Sequence, residues 1–272
     1  MTDKRNNLPA RNSVPKSPDD LVISDFVKRF GKPTIAPVAI VIAAYKEKDN
    51  IGAVLKSLPK QLGGLGVSVI VVVDGDDDGT EAIARKNGAV ALTGPFHRGQ
   101  GASLKLGYRL ARENGAKYII TGDADGQTNP AELESVLQPV INDEADFVNG
   151  SRRLGNNHST SLLRNIGITV FGKAASQLTG TKVTDTANSV RAMRADLTKT
   201  IQLDEPQYQA PEILLTVIMR GARYAERGVS VNPRLSGRSK KGLNFSYGYN
   251  YAKVFIKTWR REYLISREAK KS

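Results

Sequence analysis

Short, unbroken apolar runs alternate along this chain with segments of helical spacing, and that alternation restricts the architecture more than any other feature. Residues 38–44 read VAIVIAA and residues 67–73 read VSVIVVV. The first is apolar at every position and the second at every position but Ser68, as strands covered on both faces require. Between them, Ile51, Val54, Leu55 and Leu58 recur at helical spacing over residues 50–59. The same alternation continues through a helix at 79–86, a short strand at 89–92 and a longer helix at 99–113. A strand at 117–121, a helix at 130–141 and a strand at 145–149 complete it. Such an order predicts an α/β fold with a mostly parallel central sheet flanked by helices. Beyond Gly150, residues 162–178 and 213–221 read as helical, 224–232 as extended, and 236–243 as a Gly/Ser/Lys-rich loop.

Ligands of such sheets bind beyond the carboxyl ends of the strands. Three of those ends are polar here: AAYKEKDN, DGDDDGT and DADGQ. All three are expected to converge on one crevice. In the last, Asp123 and Asp125 flank Ala124. Side chains at i and i+2 of a strand share a face, so both carboxylates reach one ligand. With the amide of Gln127 they suit a hard cation, Mg²⁺ or Mn²⁺, that also carries diphosphate oxygens. Neither GxxxxGK[ST] nor a GxGxxG opening the first helix is present. A nucleotide would therefore be held by carboxylates and a metal rather than by a helix N-terminus.

At 272 residues the chain fits one large domain or one domain with appendages. The absence of cysteine excludes disulfides, thiolate metal sites and Cys nucleophiles, and agrees with a reducing compartment. His97 and His158, the two histidines, leave little for a zinc site or a Ser-His triad and read as loop or surface residues. Residues 1–33 are polar and read as a flexible tail with a short helix near 21–30. The longest apolar runs are far too short to span a bilayer, so an integral membrane protein is not expected. Of the net charge of +13, much lies in residues 220–272, with 14 Lys or Arg against three Glu. Nucleic acid, anionic lipid, a polyphosphate substrate and a merely solvated tail all account for such a patch.

Eight segments in order carry a family resemblance: IVIAAYKEKDNI, VIVVVDGDDDGT, GQGASLKLGYRLA, ITGDADGQTNPAEL, DFVNGSRR, VTDTANSVRAMRAD, PEILLTVIMRGARYAE and RLSGRSKK. Together they resemble family 2 glycosyltransferases of the GT-A (nucleotide-diphospho-sugar transferase) fold. Within that family the chain looks most like the dolichol- and polyprenyl-phosphate hexosyltransferases, the mannose or glucose synthases. The resemblance implies that Ala43, Tyr45 and Glu47 contact the nucleoside and that Asp74 accepts hydrogen bonds from the base. Val73 occupies the first of the usual paired acidic positions there. Asp123 and Ala124 would lie along the nucleotide, with Asp123 near ribose and metal, and Asp125 and Gln127 would complete the cation's ligands. Arg152 would reach the diphosphate or the incoming acceptor phosphate, while Arg234 and Lys240 would close over the phosphates. Ala43 stands where the family usually has Pro, Ser189 and Val190 where it shows Gly and an aromatic, and Arg238 where Glu is frequent.

The implied reaction is an inverting transfer of a hexose from a GDP- or UDP-sugar to a polyprenyl (dolichyl) phosphate. A hydroxyl acceptor on a glycan, glycolipid precursor or small metabolite is the alternative, and it would need a general base, with Asp185 or Glu212 as candidates. A phosphate acceptor is already anionic and needs cationic clamps instead, which Arg152, Arg234 and Lys240 supply. Tyr247, Tyr251, Phe255, Trp259 and Tyr263 recur every four residues near the C-terminus, with Lys253, Lys257, Arg260 and Arg261 beside them. On a helix this stripe either lies in an anionic membrane interface or packs on the catalytic domain. The expected organisation is a tail at 1–33, a GT-A domain at 34–243 and a basic aromatic helix at 244–272. The expected location is cytoplasmic, peripheral at the inner face of a membrane. A sugar-1-phosphate nucleotidyltransferase would want a glycine-rich basic loop after the first strand, which AAYKEKDN is not. Nucleic-acid binding would give the acidic strand ends no role, so no nucleic-acid partner is expected.

Overall fold

A computed structural model describes residues 17–75, 78–155, 162–236 and 245–269. In chain order its first half comprises α1 (Pro18–Phe30), β1 (Val38–Ala44), α2 (Lys48–Ser57), β2 (Gln61–Leu62), β3 (Leu65–Val73), α3 (Thr80–Lys86), β4 (Val90–Thr93) and α4 (Gln100–Glu113). There follow β5 (Tyr118–Asp123), α5 (Leu133–Ile141), β6 (Phe147–Ser151), α6 (Leu162–Thr179), β7 (Arg191–Arg194), α7 (Gln209–Met219), β8 (Tyr224–Gly228) and α8 (Phe245–Ala269).

β1 is central, paired in parallel with β3 on one side and β5 on the other. Its residues alternate between two cores. Ala39 and Val41 join the side chains of α4, α7 and α8, whereas Val38, Ile40 and Ile42 join those of α2, α3 and α5. Each fully buried aliphatic side chain contributes roughly 1.5–3 kcal/mol, which is why no polar residue interrupts the strand. The strand order is β2-β3-β1-β5-β7-β6-β8, with β4 also on β3. β7 runs antiparallel between β5 and β6. Its sequence, RAMR, carries no apolar run. Arg191 is nonetheless buried, and its guanidinium donates to Asn149 Oδ1 at 3.3 Å and to the carbonyls of Asn188 at 2.5 Å and Ala210 at 3.3 Å.

The expected tail at 1–33 is helical over Pro18–Phe30, closed by a Ser17–Asp20 capping box, and inserts Phe26 into the core; residues 1–16 lie outside the described residues. The C-terminal aromatic stripe also turns inward. Tyr251 and Phe255 are 4% and 3% exposed and pack on Phe171 of α6, and Trp259 lies against the same core. Glu262 anchors the far end of the helix, taking both Arg220 (2.7 and 3.2 Å) and Arg261 (2.9 Å). Burying these rings excludes them as a membrane-inserting face and corrects that reading of the stripe; Tyr263 alone of the five stays well exposed.

Candidate active site

The registers bring the polar strand ends to one level: Ala43 lies beside Val72 of β3 and Asp123 of β5. Beyond them opens a crevice of about 300 Å³, bordered by Tyr45, Glu47, Asp74, Asp123, Asp125 and Arg234. Ala43, Ala124 and Gln127 also line it. Val73 does not; it is fully buried in the sheet, which removes it from the nucleoside contacts expected at its position.

The two carboxylates of the DADGQ turn are held from different elements. Ser189, just before β7, donates to Asp123 Oδ2 at 2.5 Å. Asp125 accepts the backbone N–H of Gln127 at 3.1 Å and Arg234 Nη2 at 2.7 Å. Arg234 arrives because its segment runs along the turn: Asn232 N–H donates to the Gln127 carbonyl (2.9 Å) and Leu235 N–H to that of Asp125 (3.2 Å). Gly126 permits this approach, since it has φ 80° and a Cβ there would sit 2.5 Å from Leu235 Cγ. Ser236 Oγ then donates to Asn50 Oδ1 at 2.6 Å, fastening the segment to α2. Arg234 also lies 3.6 Å from Glu47 Oε1.

Burial raises the Asp125 pKa and the neighbouring Asp123 charge raises it further, against the Gln127 N–H and Arg234. A carboxylate pair in that condition is stabilised by added positive charge. Among the described residues no group of three His, Cys, Asp or Glu forms a metal cage. Two carboxylates and the Gln127 amide fit a cation that completes its shell with water and phosphate oxygens, the habit of Mg²⁺ and Mn²⁺.

Asp74 is already engaged. Its two oxygens accept the backbone N–H groups of Arg98 and Gly99, each at 2.8 Å, and His97 Nδ1 lies 2.9 Å from Oδ2. Gly75, with φ 74°, lets this loop close against the end of β3; a Cβ there would lie 2.3 Å from His97 N. The His97 ring packs against Tyr45, tilted by 34°, with centroids 4.4 Å apart. His97 is a half-exposed loop residue, as read from the sequence, and it also lines the crevice. Its position after β4, the third parallel strand in chain order, was the available signal. Tyr208 was also missed: it lines the crevice from a left-handed conformation (φ 65°) and meets Tyr247 edge-on at 4.9 Å.

Other expected residues stand elsewhere. Arg152 and Asp185 form a bidentate pair (2.7 and 2.8 Å) in which Asp185 is wholly buried, and neither lines the crevice. Burial would raise the Asp185 pKa, but hydrogen bonds and charge from Arg152 outweigh it and hold the carboxyl low. A buried, ion-paired, weakly basic carboxylate is not placed to serve as general base, which corrects that expectation. Glu212 is likewise off the crevice: it accepts the N–H groups of Asp204 (3.2 Å) and Glu205 (3.3 Å), and burial pushes its pKa up to about 7. Lys240, with Arg238 and His158, lies outside the described residues.

The family model described as glycosyl transferase family 2 matches residues 39–202, more than half the chain. A dolichyl-phosphate hexose transferase of Haloferax volcanii is 32% identical over 207 residues, spanning 76% of this chain and 87% of that one. A UDP-N-acetylglucosamine–dolichyl-phosphate N-acetylglucosaminyltransferase of Methanococcus voltae is 28% identical over 196 residues, 63% of this chain and 76% of its own. In fold, the chain matches glucosyl-3-phosphoglycerate synthase from Mycobacterium tuberculosis, solved with Mg²⁺ and uridine diphosphate (TM-score 0.66, 16% identity, 87% and 83% covered). That enzyme has also been solved with Mn²⁺ and UDP-glucose. With the parallel sheet, the acidic strand-end pair and the sequence match in agreement, this chain belongs to glycosyl transferase family 2 and is a glycosyltransferase of the GT-A fold.

Proposed function

We propose that the protein transfers a hexose, with inversion, from a GDP- or UDP-sugar to a polyprenyl phosphate in the presence of Mg²⁺ or Mn²⁺. The observation that carries the donor side is the pair Asp123 and Asp125, with Arg234 bonded to Asp125 at 2.7 Å, in the crevice that Tyr45 also lines. A bound divalent cation would supply Lewis-acid neutralisation of the leaving diphosphate. Asp123, Asp125 and Gln127 would hold it, with Ser189 fixing the Asp123 carboxylate. Tyr45, Ala43 and Ala124 border the nucleoside, and Arg234 balances the charge of the departing phosphate from its tethered segment. Lys240 and Arg152 complete the proposed cationic set, Arg152 only after parting from Asp185.

On the acceptor side, both carboxylates considered as bases are out of reach. That favours an acceptor already anionic over a hydroxyl needing deprotonation. The names of the relatives agree with this. No helix among the described residues is long and apolar enough to cross a membrane. The lipid would be met at a surface, and α8 offers one on its outward side. Tyr249, Ile256 and Tyr263 recur there every seven residues, alongside exposed Lys253, Arg260 and Arg267 at the same interval. Apolar and basic rows side by side suit an anionic leaflet, consistent with a peripheral position at the inner face.

A transfer assay tests the proposal: labelled GDP-mannose, UDP-glucose and UDP-N-acetylhexosamine, with Mn²⁺ or Mg²⁺, with and without polyprenyl phosphate. Cation-dependent label in the organic phase, absent from an Asp125→Ala control, is the expected result. Donor hydrolysis without lipid product would overturn the acceptor and point to a hydroxyl.

A further inference from the structure

We infer that His97 reads the edge of the donor's nucleobase and selects bases that present a ring N–H; the inference rests on the nucleotide-sugar reading above. Asp74 is 4% exposed and three donors already converge on its carboxylate, which has about four acceptor sites. Little of it is left for a ligand. What it does instead is orient its neighbour.

With Nδ1 at 2.9 Å from Asp74 Oδ2, the neutral imidazole carries its proton on Nδ1 and its lone pair on Nε2. Nε2 has no hydrogen-bond partner among the described residues, and the His97 side chain is 53% exposed on the crevice wall. The backbone under it is fixed as well, because Arg98 and Gly99 hold the other side of Asp74 and Gly75 admits the loop. Tyr45, 4.4 Å from the imidazole centroid, adds a flat apolar face at the same wall. A flat face with an adjoining acceptor recognises a planar ring bearing a donor at its edge. Uracil and guanine carry such a ring N–H; cytosine and adenine do not.

Calorimetric titration of the full chain with UDP, GDP, CDP and ADP in Mn²⁺ tests this. The wild-type protein should bind UDP or GDP about ten-fold more tightly than CDP and ADP, the worth of one neutral hydrogen bond. His97→Phe, which keeps an aromatic ring against Tyr45 and removes the acceptor, should erase that preference while binding CDP and ADP as before. His97→Gln, whose amide oxygen can still accept, should retain it, and thermal melts of both variants report folding. Full preference in His97→Phe would overturn the assignment while leaving the nucleotide site intact. Wild-type protein that binds no nucleotide would overturn the donor reading and the assignment with it.

Discussion

Arg234 Nη2 stands 2.7 Å from Asp125 Oδ2, so the positive charge nearest the buried carboxylate comes from the protein's own chain. The same guanidinium reaches toward Glu47 at 3.6 Å. An incoming divalent cation therefore competes with a tethered one. Arg234→Ala should bind Mn²⁺ without nucleotide about two- to five-fold more tightly, the scale of a partly exposed ion pair. Electron paramagnetic resonance of unbound Mn²⁺ measures it. Transfer should nevertheless fall about 10²-fold, because the charge facing the leaving group is gone. Unchanged Mn²⁺ affinity would show that the guanidinium does not compete.

Asp125 is raised in pKa by burial and by Asp123, so its ionised form costs the fold stability as pH rises through that raised value. Asp125→Asn should lower transfer by about 10²–10³-fold. Its Tm at neutral pH should equal or exceed that of the wild type. A large drop in Tm would mean that the carboxylate is structural.

Asp185 and Arg152 make the opposite case. Removing one partner of a buried pair strands the other, at a cost of about 3–5 kcal/mol. Asp185→Asn should shift the urea midpoint accordingly, and Arg152→Met with Asp185→Leu should recover much of the loss. Normal stability with transfer abolished would restore Asp185 as a base.

Glu212 gives the fold a pH dependence near neutrality. Its pKa rises on folding from 4.5 to about 7, so the folded state holds the proton more tightly. The associated stability is full below pH 4.5 and is lost as pH rises through about 7, up to about 3 kcal/mol. Glu212→Gln should gain on the wild type progressively between pH 5 and pH 8 in thermal melts. Parallel curves would contradict the raised value.

The two sides of α8 should separate cleanly in mutants. Ile256→Glu and Lys253→Glu lie on the exposed side and should leave Tm unchanged while weakening sedimentation with anionic vesicles at least ten-fold. Tyr251→Ala empties a buried site and should destabilise by about 3–5 kcal/mol. Equal vesicle binding by all three variants would remove α8 from the membrane contact.

Legibility followed burial pattern. β1 is found at the residues expected, Val38–Ala44, because a strand covered on both faces leaves an unbroken apolar signature. The convergence of Tyr45, Asp74 and Asp123 was legible for the same reason, since strand ends in a parallel sheet share a level. β7 left no such mark: its arginines are satisfied by carbonyls and carboxylates that only the tertiary fold brings near. Asp74 and Asp185 could be identified as acidic positions but not as occupied ones, since their partners lie 24 and 33 residues away. The aromatic stripe was visible, whereas its direction depended on Phe171 and Tyr208, which no local spacing announces.

Tyr247 borders the crevice, and on the same helix Glu262 is clasped by Arg220 and Arg261 about 15 residues further on. At 1.5 Å per residue that is about 22 Å of continuous α-helix, and no proline interrupts it. The helix thus joins the crevice wall to the Glu262 clasp as one continuous rod, seated between them by Tyr251 and Phe255 on Phe171.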